Sequence, residues 1–571
     1  MTTARITSQR GAPIVSFSAV ALLLALCGTA AVAQPEAPSP PTEQILSISV
    51  CSQNGVGGAG SCPSGSSDTH QIVLAPDGSG DAINRYGGLG GVSDEHASVF
   101  APGSLQGNGD YLFVVATGTE ARGTIGAVVL SGGAGPDANG QWTFDFPKAD
   151  GYGYYGSDPD NPSPGDFGHI FMAPTAQGHC PTVADGNPAH QDPTFDLNYA
   201  APGSVVKDPT SGPGRLLMVY EGANTCLGSI GGARSDNSAY ISTGVATSLD
   251  YGYTWPTYHG TASFDFVPLP GANKTQGPNA PSGALGSAVC MGNDCATTPP
   301  VTYGRYPILS LPVSLATAMA TGESLSDKVG EAEPSAFVDD AGGGPAPYLY
   351  VVHGYAPGDL GPSLPNGRKS DLTVARAQLN GGTSRLSFLK WNGQSFANLG
   401  VGGVDSPILP DGPFETCGDP AQGRNAGSIS YVVPTQQYLL TFICNSPSDP
   451  AGGAGSGGPR GSAWFYSISY DLSDPGRWSA PQEIVGSWMP WDTGTPAGSY
   501  GCPSFKGWYP TFMSLGRKPG HLSANGHVFY LWGCLGGGAG GTPPKRQYSS
   551  RAFTITTGPI HPLRRHLRRA T

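Results

Sequence analysis

The sequence is poor in charged residues, and beyond its N-terminus it has no long apolar run. Charged side chains make up 12% of the 571 residues, whereas Gly (87) and Pro (54) are abundant. Surface helices place apolar and charged residues at a 3.6-residue period, and long parts of this chain lack that period. The composition favours many short strands joined by turn-rich loops. We therefore predict an all-β protein, with no membrane span after the N-terminal run.

Basic residues and metal-ligand spacings are also scarce. The formal net charge is −12, which disfavours nucleic acids and anionic membranes as partners. No CxxC or Cys/His spacing typical of zinc sites is present. No ligand spacing demands calcium, although a calcium ion at the centre of the fold is left open. We expect a protein that requires no cofactor, and we assign no metal ligands.

The N-terminus has the pattern of a secretory signal peptide. Arg5 and Arg10 precede the short apolar run Ala19–Leu26, and Ala31–Ala33 is a small-residue cleavage site. We expect cleavage after Ala33 and a secreted or periplasmic protein. Ten cysteines then remain in five close pairs, and an even number in an oxidising compartment predicts disulfides. The pairs suggested by spacing are Cys51/Cys62, Cys180/Cys226, Cys290/Cys295, Cys417/Cys444 and Cys502/Cys534.

The composition divides the chain into four segments. Residues 1–33 are the signal peptide, and residues 34–45 form a Pro-rich linker. Residues 46–556 form a single domain. Residues 557–571 are a basic tail, which we interpret as a solvated, disordered end. We expect a monomer.

A strand phrase recurs five times along the domain. Its clearest copy is Glu331–Asp340 followed by Pro347–Tyr355: a polar residue, a short strand, a Gly-rich turn and an apolar second strand. Such a unit cannot bury both sheet faces alone, whereas packing around a ring solves this. We predict a five-bladed β-propeller with long inter-blade loops; a pair of β-sandwiches is the alternative. The small hydroxyl residues that anchor the five first strands are Ser98, Ser204, Ser335, Ser428 and Thr511.

The stretch Ser248–Trp255 has the pattern S-x-D-x-G-x-T-W. An Asp in such a tight turn accepts backbone N–H bonds, Gly252 supplies an unusual dihedral, and Trp255 packs into the blade. Leu472–Trp478 is a partial copy. The pattern resembles the Asp-box of sialidases and related propellers. A six-bladed sialidase-like propeller is therefore the alternative fold.

The phrase Glu333-Pro-Ser resembles the acid-bearing strand of five-bladed glycoside hydrolases, the arabinanase, β-xylosidase and invertase group. The resemblance implies that the blade-opening strands line a funnel in which two carboxyl groups face one sugar ring. It implies Glu333 as the general acid and Asp94 or Glu95 as the base or nucleophile. It also implies Asp196 as a residue that tunes or stabilises. A glycan is the implied substrate.

Aromatic and polar residues at the same strand ends are candidate substrate contacts. Aromatic faces stack on sugar rings, and polar tips bond to hydroxyl groups. These candidates are His96, Tyr199, Arg424, Trp508 and Tyr509.

Two other functions stay open. A carbohydrate-binding propeller without catalysis would have the same aromatic funnel but lack two facing carboxyl groups. A sialidase-like exo-glycosidase would use Tyr509 as its nucleophile and three Arg side chains to grip the substrate carboxylate. The available arginines are Arg305, Arg424 and Arg551.

Overall fold

The computed structural model of this chain describes its strands and many of the turns between them. The described residues are 42–51, 71–72, 96–100, 111–116, 124–131, 143–145, 168–172, 195–212, 214–226, 239–248, 255–259, 263–267, 305–315, 317–318, 325, 328–340, 347–364, 370–382, 384–409, 424–445, 462–487, 504–535 and 546–560.

Strands dominate these residues, so the predicted all-β class is confirmed. Two 3-10 helices are present in the described ranges, Gly358–Leu360 and Pro475–Arg477. Within the same ranges, no helix is long and apolar enough to cross a bilayer.

The chain opens with β1 (Glu43–Val50) and β2 (Gln71–Ile72), and five strand sets follow, which we call blades one to five. Blade one contains β3 (Ser98–Phe100), β4 (Tyr111–Ala116), β5 (Thr124–Ser131), β6 (Thr143–Asp145) and β7 (Gly168–Met172). Blade two contains β8 (Tyr199–Lys207), β9 (Leu216–Asn224) and β10 (Ala239–Ser248); a separate hairpin of β11 (Trp255–His259) and β12 (Ser263–Val267) precedes its last strand, β13 (Arg305–Leu309).

Blade three contains β14 (Lys328–Asp339), β15 (Tyr348–Ala356), β16 (Asp371–Gln378), β17 (Leu389–Trp391) and β18 (Phe396–Leu399). Blade four contains β19 (Asn425–Val432), β20 (Gln437–Asn445), β21 (Ser462–Ser469) and β22 (Gln482–Glu483). Blade five contains β23 (Ser504–Met513), β25 (Asn525–Leu535) and β26 (Arg546–Pro559), while β24 (His521–Leu522) pairs in parallel with β19 of blade four.

The hydrophobic core lies between neighbouring blades. Val219 of blade two and Val351 of blade three belong to one buried cluster. Val352 of blade three and Leu440 of blade four belong to another. A third cluster joins blades four, five and one. Blades three, four and five therefore each bury both faces against adjacent sheets, which is the packing predicted for a propeller.

The first strands of the five blades surround one axial cavity. All five predicted hydroxyl anchors line it. Several of these hydroxyls bond to the next inner strand: Ser98 Oγ accepts from the Val205 amide at 2.8 Å, and Ser204 Oγ accepts from the Ala336 amide at 2.9 Å. The predicted alignment of the repeated strands is confirmed. The total number of blades stays a prediction, because long loops lie outside the described residues.

The first strand of the domain completes the last blade. β1 pairs antiparallel with β26, from Glu43 opposite Pro559 to Val50 opposite Phe553. The sequence left this strand without a partner and ended the linker and the domain at residues 45 and 556. The ladder extends beyond both bounds, because pairing between chain ends leaves no local sequence pattern.

Blades two and three are joined by a crossing strand. The first residues of β14 pair in parallel with β10, and the rest of β14 is the inner strand of blade three. Gly330 lies at this crossing with φ of 142°, and a Cβ there would lie 2.0 Å from the Ile241 carbonyl oxygen. Only glycine allows this approach.

Two sets of predicted motifs lie partly outside the described residues. Ser248 ends β10 and the fully buried Trp255 begins β11, so the Asp-box between them stays a prediction. In its partial copy, Asp474 accepts from the Gly476 amide at 3.2 Å and Trp478 is buried, as predicted. Each predicted cysteine pair has at least one member outside the described residues.

We predict that ring closure depends on the inner face of β1. Ile48 is fully buried, whereas Leu46 in the same strand is 52% exposed. Ile48→Ala should lower the free energy of unfolding by about 2–5 kcal/mol, because it leaves a cavity in the core. Leu46→Ala, the matched control, should change it by about 0.5 kcal/mol or less. Urea unfolding measures both; equal effects would mean that β1 is not held by core packing.

Candidate active site

Three neighbouring inner strands carry the same backbone distortion in their N-terminal halves. In β14, β19 and β23 the ladder skips two residues just before the hydroxyl anchor. The first skipped residue has positive φ in each case: 53° at Glu333, 52° at Ala426 and 56° at Tyr509. Non-glycine residues rarely adopt this conformation, and it costs roughly 1–3 kcal/mol. Such bulges re-aim side chains and concentrate at functional sites.

Glu333 lies at the centre of the contacts among these bulges. Its carboxylate Oε2 accepts from the Ala426 amide of blade four at 2.7 Å. Its Oε1 accepts from the Tyr509 hydroxyl of blade five at 3.4 Å. Its own amide donates to Glu221 Oε2 of blade two at 2.8 Å. Glu333 is thus held by three blades, its carboxylate by blades four and five and its amide by blade two. The residue is only partly buried.

Blade one completes the ring of contacts through His96. The His96 ring meets the Tyr509 ring edge-on, with centroids 5.3 Å apart. His96 Nδ1 lies 3.4 Å from Thr511 Oγ1. Burial lowers the pKa of His96 to about 3, so the ring is neutral at physiological pH. We call His96, Glu221, Glu333, Ala426 and Tyr509 the mouth; it draws one residue from each blade.

Glu221 is a mouth residue that sequence reasoning missed. The sequence predicts an apolar second strand over Arg215–Glu221, the structure has it at Leu216–Asn224, and Glu221 is the one acid within it. A second strand runs antiparallel to the first, so its end lies at the same face where the first strand begins. A lone buried acid near the end of that strand is the signal that could have found it.

The predicted modulator Asp196 lies behind Glu221. It is buried and lies 3.4 Å from the Arg305 guanidinium, and its Oδ2 accepts from the Tyr220 hydroxyl at 2.8 Å. Its Cβ lies 2.6 Å from where a Cβ on Gly222 would stand. Asp196 therefore supports the strand that carries Glu221.

The three candidate arginines have buried partners other than Tyr509. Arg305 is held by Asp196, and Arg424 is buried with its Nε and Nη2 2.9 and 3.0 Å from the two Asp371 oxygens. Arg551 donates to the Tyr530 hydroxyl and to the Gly486 carbonyl. All three are at least 97% buried. This arrangement does not supply the arginine grip of a sialidase.

The structure describes two of the remaining four predicted site residues. Tyr199 is half-buried at the start of β8, and Trp508 is half-buried directly before Tyr509. Trp508 packs partly against the core cluster of blades four and five. Asp94 and Glu95 lie outside the described residues, directly before His96.

A buried ionic network lies beside the mouth, in blade three. Lys390 Nζ lies 2.6 Å from both Glu331 Oε1 and Asp405 Oδ2. His353 Nδ1 lies 2.7 Å from Glu331 Oε2, and its Nε2 lies 3.4 Å from Asp405 Oδ1. Lys390 also donates to two backbone carbonyls. Glu331 lies two residues before Glu333, so this network fixes the start of the strand that bears the bulge.

Burial sets the protonation of this network. Burial, reinforced by Glu331, raises the pKa of Asp405 to about 7 in spite of Lys390. Burial lowers the pKa of His353 to about 4. Burial alone would lower the pKa of Lys390, but Glu331 and Asp405 hold it above its ordinary value. Near neutral pH the network thus contains a charged Lys390, a neutral His353 and an Asp405 close to half protonation.

Glu331, His353 and Asp405 also have the residue types of a metal site. Their ligand atoms all lie within 4.8 Å of one another. Lys390 places its ammonium group against both carboxylates, so the positive charge that balances them comes from the protein itself. The chemistry of these residues does not require a metal, and we assign none.

No protein-family model matches the sequence, and none of the curated proteins does. Among solved structures, the chain is similar to an α-L-arabinofuranosidase from Podospora anserina in complex with cellotriose, with a TM-score of 0.34 and 10% identity over 86% of this chain and 98% of that one. It is also similar to an α-L-arabinofuranosidase from Lactobacillus brevis, with a TM-score of 0.35 and 10% identity over 81% and 92%.

A third similar structure is an endo-1,5-α-L-arabinanase from Thermotoga petrophila RKU-1, with a TM-score of 0.29 and 13% identity over 80% and 70% of the two chains. All three neighbours are at most 13% identical to this chain. Their TM-scores are too low to assign a function, so the function is argued below from the geometry of the mouth.

We predict that Asp405 makes the folded state less stable as pH rises. Its pKa is about 7 when folded and about 3.8 in the unfolded chain, so the folded state binds more protons between these values. Stability from this group is therefore full below about pH 4 and is lost as pH rises through 7. Asp405→Asn should remove this loss. The melting temperature of the variant relative to that of the wild type should therefore rise from pH 5 to pH 8.

The buried histidines act in the opposite sense over part of this range. The lowered pKa of His353 costs stability as pH falls below about 6.5, so only the difference between Asp405→Asn and wild type isolates Asp405. Asp471→Asn, an exposed acid in blade four, is the control. Parallel melting curves for Asp405→Asn and wild type would contradict the assignment.

Proposed function

We propose that this protein is an exported glycoside hydrolase that cleaves a glycan by paired-carboxylate chemistry, with Glu333 as the general acid. The observation that carries the proposal is the position of Glu333. The residue is only partly buried and has a strained φ of 53°, and its carboxylate is held by groups from blades four and five. Backbone strain maintained by surrounding packing favours a functional role over a structural one.

The two oxygens of Glu333 have different partners. Oε2 accepts from a backbone N–H, which cannot accept a proton in return. Oε1 faces the Tyr509 hydroxyl, which donates to a carboxylate and accepts from a carboxylic acid. The exchangeable proton is therefore directed to Oε1, where both protonation states keep a hydrogen bond. A general acid needs such a position, because it must lose and regain its proton in each turnover.

The second carboxyl group of the proposal is Asp94 or Glu95. Both directly precede His96 in the sequence, and the His96 ring contacts Tyr509 at the mouth. One of them would activate water or attack the anomeric carbon. Glu221 is a positioning residue, because its carboxylate bonds to the amide of Glu333 and so holds the strained backbone. Asp196 supports Glu221 from behind.

The mouth favours an uncharged sugar. Its groups in the described ranges are carboxylates, a neutral histidine and a tyrosine, and the nearby arginines are committed to buried partners. A carboxylate substrate would meet repulsion from the Glu221 carboxylate. His96, Tyr199, Trp508 and Tyr509 are proposed sugar contacts, and Arg424 is proposed to act only by fixing the start of β19.

A carbohydrate-binding propeller without catalysis is the second candidate. One observation favours it. The Glu221 carboxylate accepts a hydrogen bond from a backbone amide, which leaves Glu333 as the other carboxyl group of the mouth among the described residues. Such a protein would retain glycans on an array and release no product from them.

We predict that Glu333→Gln lowers kcat on aryl glycosides by about 10²–10⁴-fold, because the amide cannot deliver a proton. Gln keeps the shape of the side chain and costs the same at positive φ, so the melting temperature should stay near wild type. Asp471→Asn, on the exposed side of blade four, is the control and should keep full activity. Unchanged hydrolysis by Glu333→Gln would overturn the assignment.

We predict that Glu221 acts through the backbone of Glu333. Glu221→Gln retains an oxygen that accepts from the Glu333 amide, so kcat should fall by less than about tenfold. Glu221→Ala leaves that amide unpaired and should lower kcat at least tenfold more, with little change in KM. If the Gln variant is as inactive as the Ala variant, the Glu221 carboxylate itself takes part in the chemistry.

A further inference from the structure

The axial cavity reaches the face of the propeller opposite the mouth. It has a volume of about 870 Å³ and begins at the ring of hydroxyl anchors. It continues along the inner strands to Val338 and Met513 and ends among exposed residues that follow these strands. Glu221, Glu333 and Tyr509 do not line it. It is therefore a second opening, separate from the proposed catalytic one.

The walls of this cavity are mainly apolar. Residues from all five inner strands line it, and each of these strands contributes at least one buried hydrophobic residue. A volume of this size lies in the range of small-molecule sites, which are commonly apolar with a few polar groups. Its apolar lining includes Val99, Val205, Phe337, Ile429, Phe512 and Met513.

The rim of the cavity is basic, although the protein is acidic. Lys207 of blade two and the turn residues Arg517 and Lys518 stand there, against one acid, Asp340. Lys518 Nζ is paired with Asp340 at 2.7 Å. Lys207 and Arg517 make no ion pair within the described ranges, so two positive charges remain uncompensated at this rim. In a chain of formal charge −12, such a rim attracts anions.

The turn that carries the basic residues is fixed across the opening. It leaves β23 of blade five, and its Lys518 reaches Asp340 of blade three. It then enters β24, which pairs with β19 of blade four. His521 at its end packs on the Phe337 ring, with centroids 5.8 Å apart. The charges are thus held over the cavity by three blades.

We propose that this cavity binds a small amphiphilic acid. The apolar body of the ligand lies between the inner strands, and its anionic head group lies between Lys207 and Arg517. Apolar walls alone would take a neutral molecule, and a basic rim alone would take an inorganic anion. A ligand with both parts is stabilised by the apolar walls and by the basic rim together, whereas a ligand with one part is stabilised by one of them. The cavity therefore selects a ligand that has both parts.

Fluorescence titration of the full chain with 8-anilinonaphthalene-1-sulfonate tests the proposal. This probe has an aromatic body and a sulfonate, and N-phenyl-1-naphthylamine is a neutral compound with the same body. The double variant Lys207→Gln, Arg517→Gln should weaken sulfonate binding about tenfold and leave the neutral probe unchanged. Arg477→Gln with Lys328→Gln, two exposed cations elsewhere, is the charge-matched control.

A second variant tests the position of the ligand. Val338 lines the cavity and is half-buried, so Val338→Trp should block the entrance and abolish binding of both probes in a chain that still melts cooperatively. Glu333→Gln should leave both affinities unchanged. Sulfonate binding that survives the double variant, falls in parallel with the neutral probe, or is lost in Glu333→Gln would overturn the proposal.

Discussion

The rest of this structure depends on the need of each sheet to bury both of its faces. The strands carry apolar residues on two sides, and the buried clusters lie between one blade and the next. When each sheet packs against the next one along the chain, the sheets are arranged around a common axis. Their inner strands then stand side by side, and the space between them has two ends. Both proposed sites are consequences of that geometry.

The inner strands depart from ideal strand geometry at the mouth. Glu333, Ala426 and Tyr509 occupy equivalent places in three consecutive blades, and each has positive φ. Two of them precede proline, which normally favours extended backbone. The distortion persists because amides and carboxylates of adjacent blades bind one another there. Packing between the blades thus maintains the strained backbone at Glu333, whose side chain stays only partly buried.

Local pattern predicted the strands well, because alternation and turn residues lie within a few positions of one another. Glu333 was found for the same reason, since it opens a recognisable strand. Glu221 was missed although its strand was recognised, because only the ring shows that this strand ends at the mouth. The pairing of Asp196 with Arg305 joins residues that no local pattern connects. Asp94 and Glu95 stay predictions.

The ladder between β1 and β26 governs the order of events during folding. Its partners, such as Glu43 and Pro559, lie at opposite ends of the domain. A chain made from its N-terminus therefore completes β1 first and holds it without its partner until the last strand is available. Contacts of such long sequence separation form slowly, and an open edge invites wrong pairing in the meantime. The long sequence separation of this ladder therefore favours ring closure late in folding.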